Sequence, residues 1–250
     1  MPSSFSITDT GRQRNMNQDY IFTSDIPVNS LPNLYIVADG MGGHNAGDYA
    51  SRFTVNHVAQ SVMETKEKEP ARILEKALQE ANSALRRIAG EKRSMYGMGT
   101  TFVAVTISGN RVLAANVGDS RLYVLHPPAR IRQVTVDHSL VEEMVQAGRI
   151  DRETARQMPD KNIITRAVGA EDDLKVDFFR EVLTDGDLLL LCSDGLTNML
   201  KEEEIAEIVF SFRSLEKAAD RLVYAANMAG GADNISVVLV NPFDSGRLLA

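Results

Sequence analysis

The order in which strand-like and helix-like stretches follow one another constrains this chain more than any other feature. Short apolar or alternating runs, bounded by turn residues, predict strands at 4–9, 19–24 and 34–38. Apolar residues at helical spacing follow: Ala46, Ala50, Phe53, Val58 and Val62, then a clearer stripe at Ile73, Leu74, Ala77, Leu78, Ala81, Leu85 and Ile88. Pro70 sits where the second helix begins, a position at which its missing N–H costs nothing. Strands then recur at 100–107, 111–117, 121–125 and 131–135, with Ser108-Gly109-Asn110 as a hairpin turn. A polar helical stretch at 139–157 leads into an irregular segment around Pro159 and Gly169. Strands return at 174–181 and 187–193, helices at 201–210 and 214–228, and a last strand at 234–240. This is not the regular strand–helix–strand alternation of a doubly wound sheet. It fits a β-sandwich with helices on its outer faces, whose loops at one end are the natural place for a site.

At 250 residues the chain suits one large domain, spanning 1–250, with core enough to need no staples. Its lone cysteine, Cys192, rules out an intramolecular disulfide and a cysteine-rich metal site, and it lies in an apolar strand where a core role is expected. The formal net charge of −7 argues against a general nucleic-acid binder. No run of 18 apolar residues predicts a membrane span, and residues 1–10 lack a signal-peptide pattern. A cytoplasmic location is the expectation.

Aspartates recur where apolar strands end. Leu34-Tyr35-Ile36-Val37-Ala38 runs into Asp39-Gly40, and the run ending in Cys192-Ser193 leads to Asp194-Gly195. Val117 is followed by Gly118-Asp119-Ser120-Arg121, and Asp233-Asn234 precedes the final strand. A single Asp-Gly is most simply a turn, and Asp185-Gly186 is read as one, in a hairpin. Several carboxylates in one cleft are another matter. Two charges about 4 Å apart cost roughly 4 kcal/mol at an effective dielectric of about 20. A divalent cation removes that cost, and an all-oxygen donor set favours Mg²⁺ or Mn²⁺ over Zn²⁺.

Six motifs carry a family resemblance. Arg14-Asn15-Met16-Asn17-Gln18-Asp19 and Val37-Ala38-Asp39-Gly40-Met41-Gly42-Gly43-His44 resemble the opening motifs of the PPM-class, type 2C, protein phosphatases, in their bacterial form. Gly97-Met98-Gly99-Thr100-Thr101, Gly118-Asp119-Ser120-Arg121, Cys192-Ser193-Asp194-Gly195-Leu196 and Asp233-Asn234 are similar to the later motifs, in the family's order. The resemblance implies an α+β fold of four layers, αββα, with a central antiparallel sandwich. It implies hydrolysis of phosphoserine and phosphothreonine on proteins by a metal-bridged water, with two Mg²⁺ or Mn²⁺ ions and, as in some relatives, a third. Asp39 would bridge two ions and Gly40 would offer its carbonyl. Asp194 and Asp233 would complete the second ion's shell, and Asp19 would hold metal-bound water. Arg14 would bind the substrate phosphate through its planar fork. The partners implied are phosphorylated proteins, a Ser/Thr kinase among them, met by a monomer.

Other residues compete for roles. His44 is a candidate for protonating the leaving oxygen, with a local loop role as the alternative. Asp119 is the candidate for the third ion. Asp137 is read as an N-cap for the following helix, with a third-metal role as its alternative. Segment 139–169, rich in exposed charge, would be the family's flap beside the site. Two other functions stay open: a catalytically silent module of the same fold, and a small-phosphoester hydrolase.

Overall fold

The computed structural model describes residues 1–43, 46–158 and 160–243. Strands β1 (Ser3–Asp9), β2 (Asp19–Ser24) and β3 (Leu34–Met41) come first, then helices α1 (Ala46–Glu64) and α2 (Pro70–Glu91). Next are β4 (Gly99–Thr100), β5 (Phe102–Ser108), β6 (Arg111–Val117), β7 (Arg121–His126) and β8 (Arg130–Gln133). Short helices α3 (Leu140–Gln146) and α4 (Arg152–Gln157) are followed by β9 (Asp177–Val182) and β10 (Leu188–Cys192). Helices α5 (Asp194–Thr197), α6 (Glu202–Phe210) and α7 (Leu215–Met228) lead to β11 (Ile235–Asn241).

The strands form two antiparallel sheets. One has the order β1-β11-β10-β7-β8; the other runs β2-β3-β5-β6-β9, with β4 added to β3. Their inner faces meet in a core that includes Tyr35, Val37, Val103, Val105, Leu122, Val124, Leu189, Leu191 and Val238. The alternate residues of the same strands point outward and are also covered. Leu34, Ile36, Ala38, Phe102 and Ala104 pack under α1 and α2. Tyr123, Leu190, Cys192, Val237 and Leu239 pack under α6 and α7. Because side chains alternate along a strand, only a strand covered on both faces reads as an unbroken apolar run. The four-layer αββα arrangement is thus the expected one, and Cys192 is core.

The helices depend on this burial. Helix α2 begins with Glu69 accepting from the Arg72 N–H (2.9 Å) and with Pro70 in its first turn. It buries Ile73, Leu74, Leu78 and Leu85, each contributing about 1.5–3 kcal/mol when fully covered. Such packing supplies most of a helix's stability in a protein.

Three local readings are corrected. Asp185-Gly186 does not close a hairpin, since β9 lies in one sheet and β10 in the other; the turn carries the chain between layers. Its fold is held by Asp187, whose Oδ2 accepts from the Thr184 N–H (2.7 Å) and hydroxyl (2.9 Å). The 139–157 stretch is two short helices broken at Gly148, where φ is +67°. Asp137 caps neither: Ser139 accepts from the Glu142 N–H at the start of α3.

Candidate active site

Both sheets deliver aspartates to one end of the sandwich. Asp39 lies within β3 rather than past its end, and its cross-strand partner on β2 is Asp19. The strand continues because Gly40 and Met41 pair with Thr100 and Gly99 of β4. Asp119 sits in the turn that takes the chain from β6 in one sheet to β7 in the other. Asp194 opens α5 directly after β10, and Asp233 precedes β11.

Several of these aspartates are held by neighbours whose roles the sequence did not assign. The Asp39 N–H donates to Thr101 Oγ1 (2.9 Å), which also hydrogen-bonds Ser120 Oγ (2.7 Å). The Asp39 carbonyl accepts from the Thr101 N–H (2.8 Å) and the Thr100 hydroxyl (2.8 Å). Asp19 Oδ2 accepts from Ser193 and Ser236, both at 2.7 Å. Asp194 Oδ2 accepts from Asn198 Nδ2 (2.9 Å). Asn234 ties the opening loop to the site: its Oδ1 accepts from the Gln18 N–H, and its Nδ2 donates to the Thr10 and Met16 carbonyls (2.8–2.9 Å). The signal for these residues was their place beside the aspartates, in a region where buried polar groups must be paired.

Two of the remaining oxygens are not paired. Asp19 Oδ1 and Asp194 Oδ1 are buried and have no hydrogen-bond partner among the described residues. Burial first, then the charges of Asp19, Asp194, Asp119 and Asp233, hold the Asp39 carboxyl well above the usual carboxylate range. Burial and Asp194 do the same for Asp119. Burial and Asp233 raise Asp194. Burial pushes Asp19 up to about 7, against the pull of its two serine donors and with repulsion from Asp194 and Asp233. Among the described residues, no three His, Cys, Asp or Glu side chains converge tightly enough to hold an ion as they stand. Even so, orphaned carboxylate oxygens facing mutual repulsion are what a hard divalent cation would relieve. The donor set fits Mg²⁺ or Mn²⁺.

Arg14 reaches the site and lies at its rim, half-exposed, with Nη2 donating to Asp233 Oδ2 (2.7 Å). Asp137 is taken up by an ion pair. Arg121 donates to both its oxygens (2.6–3.0 Å), and Gln133 adds a third donor (2.7 Å). It is a saturated ion-pair partner, whereas among the described residues no ion pair is made by Asp119. His44 lies outside the described residues. A groove of about 480 Å³ leads from Asp119 and Asp194 along α3 and α4, past Arg156, Lys161 and Asn162. The base of segment 139–169 is pinned: the Thr165 N–H donates to the His138 carbonyl (2.8 Å), and the Gly118 N–H donates to His138 Nδ1 (2.9 Å).

Residues 10–229 match the family model described as protein phosphatase 2C. The serine/threonine phosphatase Stp of Listeria innocua is 44% identical over 248 residues, 96% of each chain. A solved serine/threonine phosphatase of S. agalactiae superposes with a TM-score of 0.88 at 37% identity, covering 96% of this chain and 99% of that one. The catalytic domain of the phosphatase PstP, solved in complex with two manganese ions, gives 0.84 at 30% identity, with 96% and 97% covered. A match that spans most of the chain, joined to a carboxylate cluster at one end of an αββα sandwich, places the chain in the protein phosphatase 2C family, and so among the protein phosphatases.

Proposed function

We propose that this chain hydrolyses phosphoserine and phosphothreonine on proteins, using two divalent ions, Mg²⁺ or Mn²⁺. Asp39, the Gly40 carbonyl, Asp194 and Asp233 would hold the pair, Asp19 would support it, and Asp119 would serve a third ion. The observation that carries this reading is the gathering of five aspartates from both sheets, two of them with buried oxygens left unpaired. When bound, such ions acidify a water and offset the charge of the phosphate oxygens. The protein's own part is to hold and orient. Thr101 and Ser120 fix Asp39, and Asn198 holds one oxygen of Asp194 while leaving the other free. Arg14, placed beside Asp233, supplies a planar pair of donors to the phosphate. The phosphatase names of the relatives and the two manganese ions of PstP support the substrate and the metal.

The complete carboxylate set disfavours a silent module. The groove beside Asp119 gives a peptide room that a small phosphoester would not use. A Ser/Thr kinase among the substrates, a monomeric state and a cytoplasmic setting belong to the same proposal. So do a single domain over 1–250, a flap at 139–169 and His44 as proton donor. Among the described residues, no helix is long and apolar enough to cross a membrane. Hydrolysis of phosphoserine, phosphothreonine and phosphotyrosine peptides should be measured with Mn²⁺, with Mg²⁺ and in EDTA. Turnover of the first two, lost in EDTA, is expected. Undiminished turnover in EDTA after exhaustive dialysis would refute the metal-dependent reading.

A further inference from the structure

Asp19 is enclosed by a closed ring of hydrogen bonds that reaches well beyond the family motifs. The Asp19 N–H donates to Asn17 Oδ1 (3.1 Å). Asn17 Nδ2 donates to Thr8 Oγ1 (2.8 Å). Thr8 Oγ1 and Ser236 Oγ lie 2.8 Å apart, and the Ser236 hydroxyl donates to Asp19 Oδ2 (2.7 Å). The direction of the middle bond follows from its ends. An amide nitrogen only donates and a carboxylate only accepts, so the Thr8 hydroxyl must donate to Ser236. Thr8 and Ser236 are register partners on β1 and β11. Ser193, just past β10, completes a row of three hydroxyls across the sheet, donating to the same Oδ2 (2.7 Å) and accepting from the Ser236 N–H (3.0 Å). All of this converges on one oxygen. Asp19 Oδ1, buried, receives no hydrogen bond among the described residues.

We propose that Thr8, Ser236 and Asn17 are positioning residues that lock the Asp19 carboxylate with Oδ2 consumed and Oδ1 presented to the divalent-ion centre. Each hydroxyl that accepts a hydrogen bond becomes a better donor, so the ring acts as a polarised chain ending on Oδ2. Two donors on one oxygen fix the carboxylate's rotation and leave a single oxygen for an ion or its water. The same pattern of partners behind a ligating group governs affinity in metal sites generally. Thr8 touches no carboxylate of the cluster directly, so its effect on the ions passes through Ser236. This inference rests on the metal-dependent reading above.

The test is calorimetric titration of the full chain with Mn²⁺ alone, without substrate, beside thermal melts. Thr8→Val keeps the branched shape and removes the hydroxyl. It should weaken Mn²⁺ binding by about three- to tenfold, the scale of one hydrogen bond. Thr8→Ser, which keeps the hydroxyl, should bind within about twofold of wild type, inside the normal scatter of a conservative change. Ser236→Ala, which removes the donor itself, should lose more than Thr8→Val. Wild-type affinity in Thr8→Val, even with a lowered melting temperature, would reduce Thr8 to a structural role and overturn the proposal. Equal losses in Thr8→Ser and Thr8→Val would overturn it as well. A wild-type chain that binds no Mn²⁺ would instead bring down the metal-dependent reading, and this inference with it.

Discussion

Asp39 and Asp19 stand directly opposite each other on neighbouring strands, a placement that opposes folding unless something offsets the charge. Asp194, Asp119 and Asp233 add to the load on Asp39. The chain keeps these residues at the expense of stability, which is how functional sites depart from local optimality. Asp39→Asn at about pH 8 should therefore raise the melting temperature in EDTA, with a stabilisation of about 1–3 kcal/mol from relieving the repulsion among the crowded carboxylates. The same variant should lose phosphopeptide turnover by more than about a hundredfold. A melting temperature at or below wild type would show that the cluster is not under electrostatic load. Arg14 makes a second prediction. The structure pairs it with Asp233 at 2.7 Å. That pair is half-exposed, so it is worth less than about 1 kcal/mol. Arg14→Ala should weaken binding of inorganic phosphate to the Mn²⁺-loaded protein. It should also tighten Mn²⁺ itself by less than about fivefold, since Asp233 no longer has a competing cation. Weaker Mn²⁺ binding in Arg14→Ala would contradict the competition.

At the scale of elements, α1 and β3 meet with almost no space between them. A Cβ on Gly47 would lie 2.6 Å from the Gly40 carbonyl oxygen and 2.6 Å from the Gln18 side chain. The Gly40 carbonyl is the proposed metal ligand, so helix packing and ligand position are one constraint. Gly47→Ala should cost about 1–3 kcal/mol of stability as overpacking. Mn²⁺ affinity in calorimetry should fall with it, while Gly90→Ala, at a helical glycine with open space around it, should leave affinity alone. Unchanged affinity in Gly47→Ala would uncouple the helix from the ligand. Gly47 carries no motif signal of its own, and this marks where sequence reading stopped. The β-strands were legible because their apolar runs are short and bounded by turns, and β2 falls on 19–24 as expected. Asp39 and Asp194 were legible because each follows an apolar run and precedes a glycine, and Asp119 and Asp233 because they sit in motifs that resemble the family's. The extension of β3 through Asp39 was not, since it depends on the two residues of β4 pairing from far along the chain. Nor was the role of Asp185-Gly186, because a turn between sheets and a turn within one have the same local chemistry. Asp137 was misread because its partner Arg121 lies 16 residues earlier, beyond any local rule.

For the molecule as a whole, the carboxylates that give the site its chemistry also set how stability responds to pH. Burial raises Asp19 from its ordinary value of 3.8 to about 7, and Asp39, Asp119 and Asp194 are raised too. A group whose carboxyl is raised on folding binds more protons in the folded chain than in the unfolded one. Between about pH 4 and about pH 7, rising pH must therefore lower the stability of the metal-free protein. Asp177 acts in the opposite sense: burial raises it, but His138 and Arg166 outweigh that and hold it low, so its contribution is lost only in acid. The metal-free chain should accordingly be most stable near the acidic end of that window. Divalent ions reverse the balance, because they bind the ionised carboxylates and displace protons, and ion affinity rises with pH. Thermal melts from about pH 5 to about pH 8 should show a falling melting temperature in EDTA and a level or rising one in saturating Mn²⁺. The two curves should lie close together at the acidic end and separate steadily towards the alkaline end. Parallel curves would mean that ion binding releases no protons from the cluster. The raised carboxyls would then belong to the structure of the sandwich end and not to an ion site.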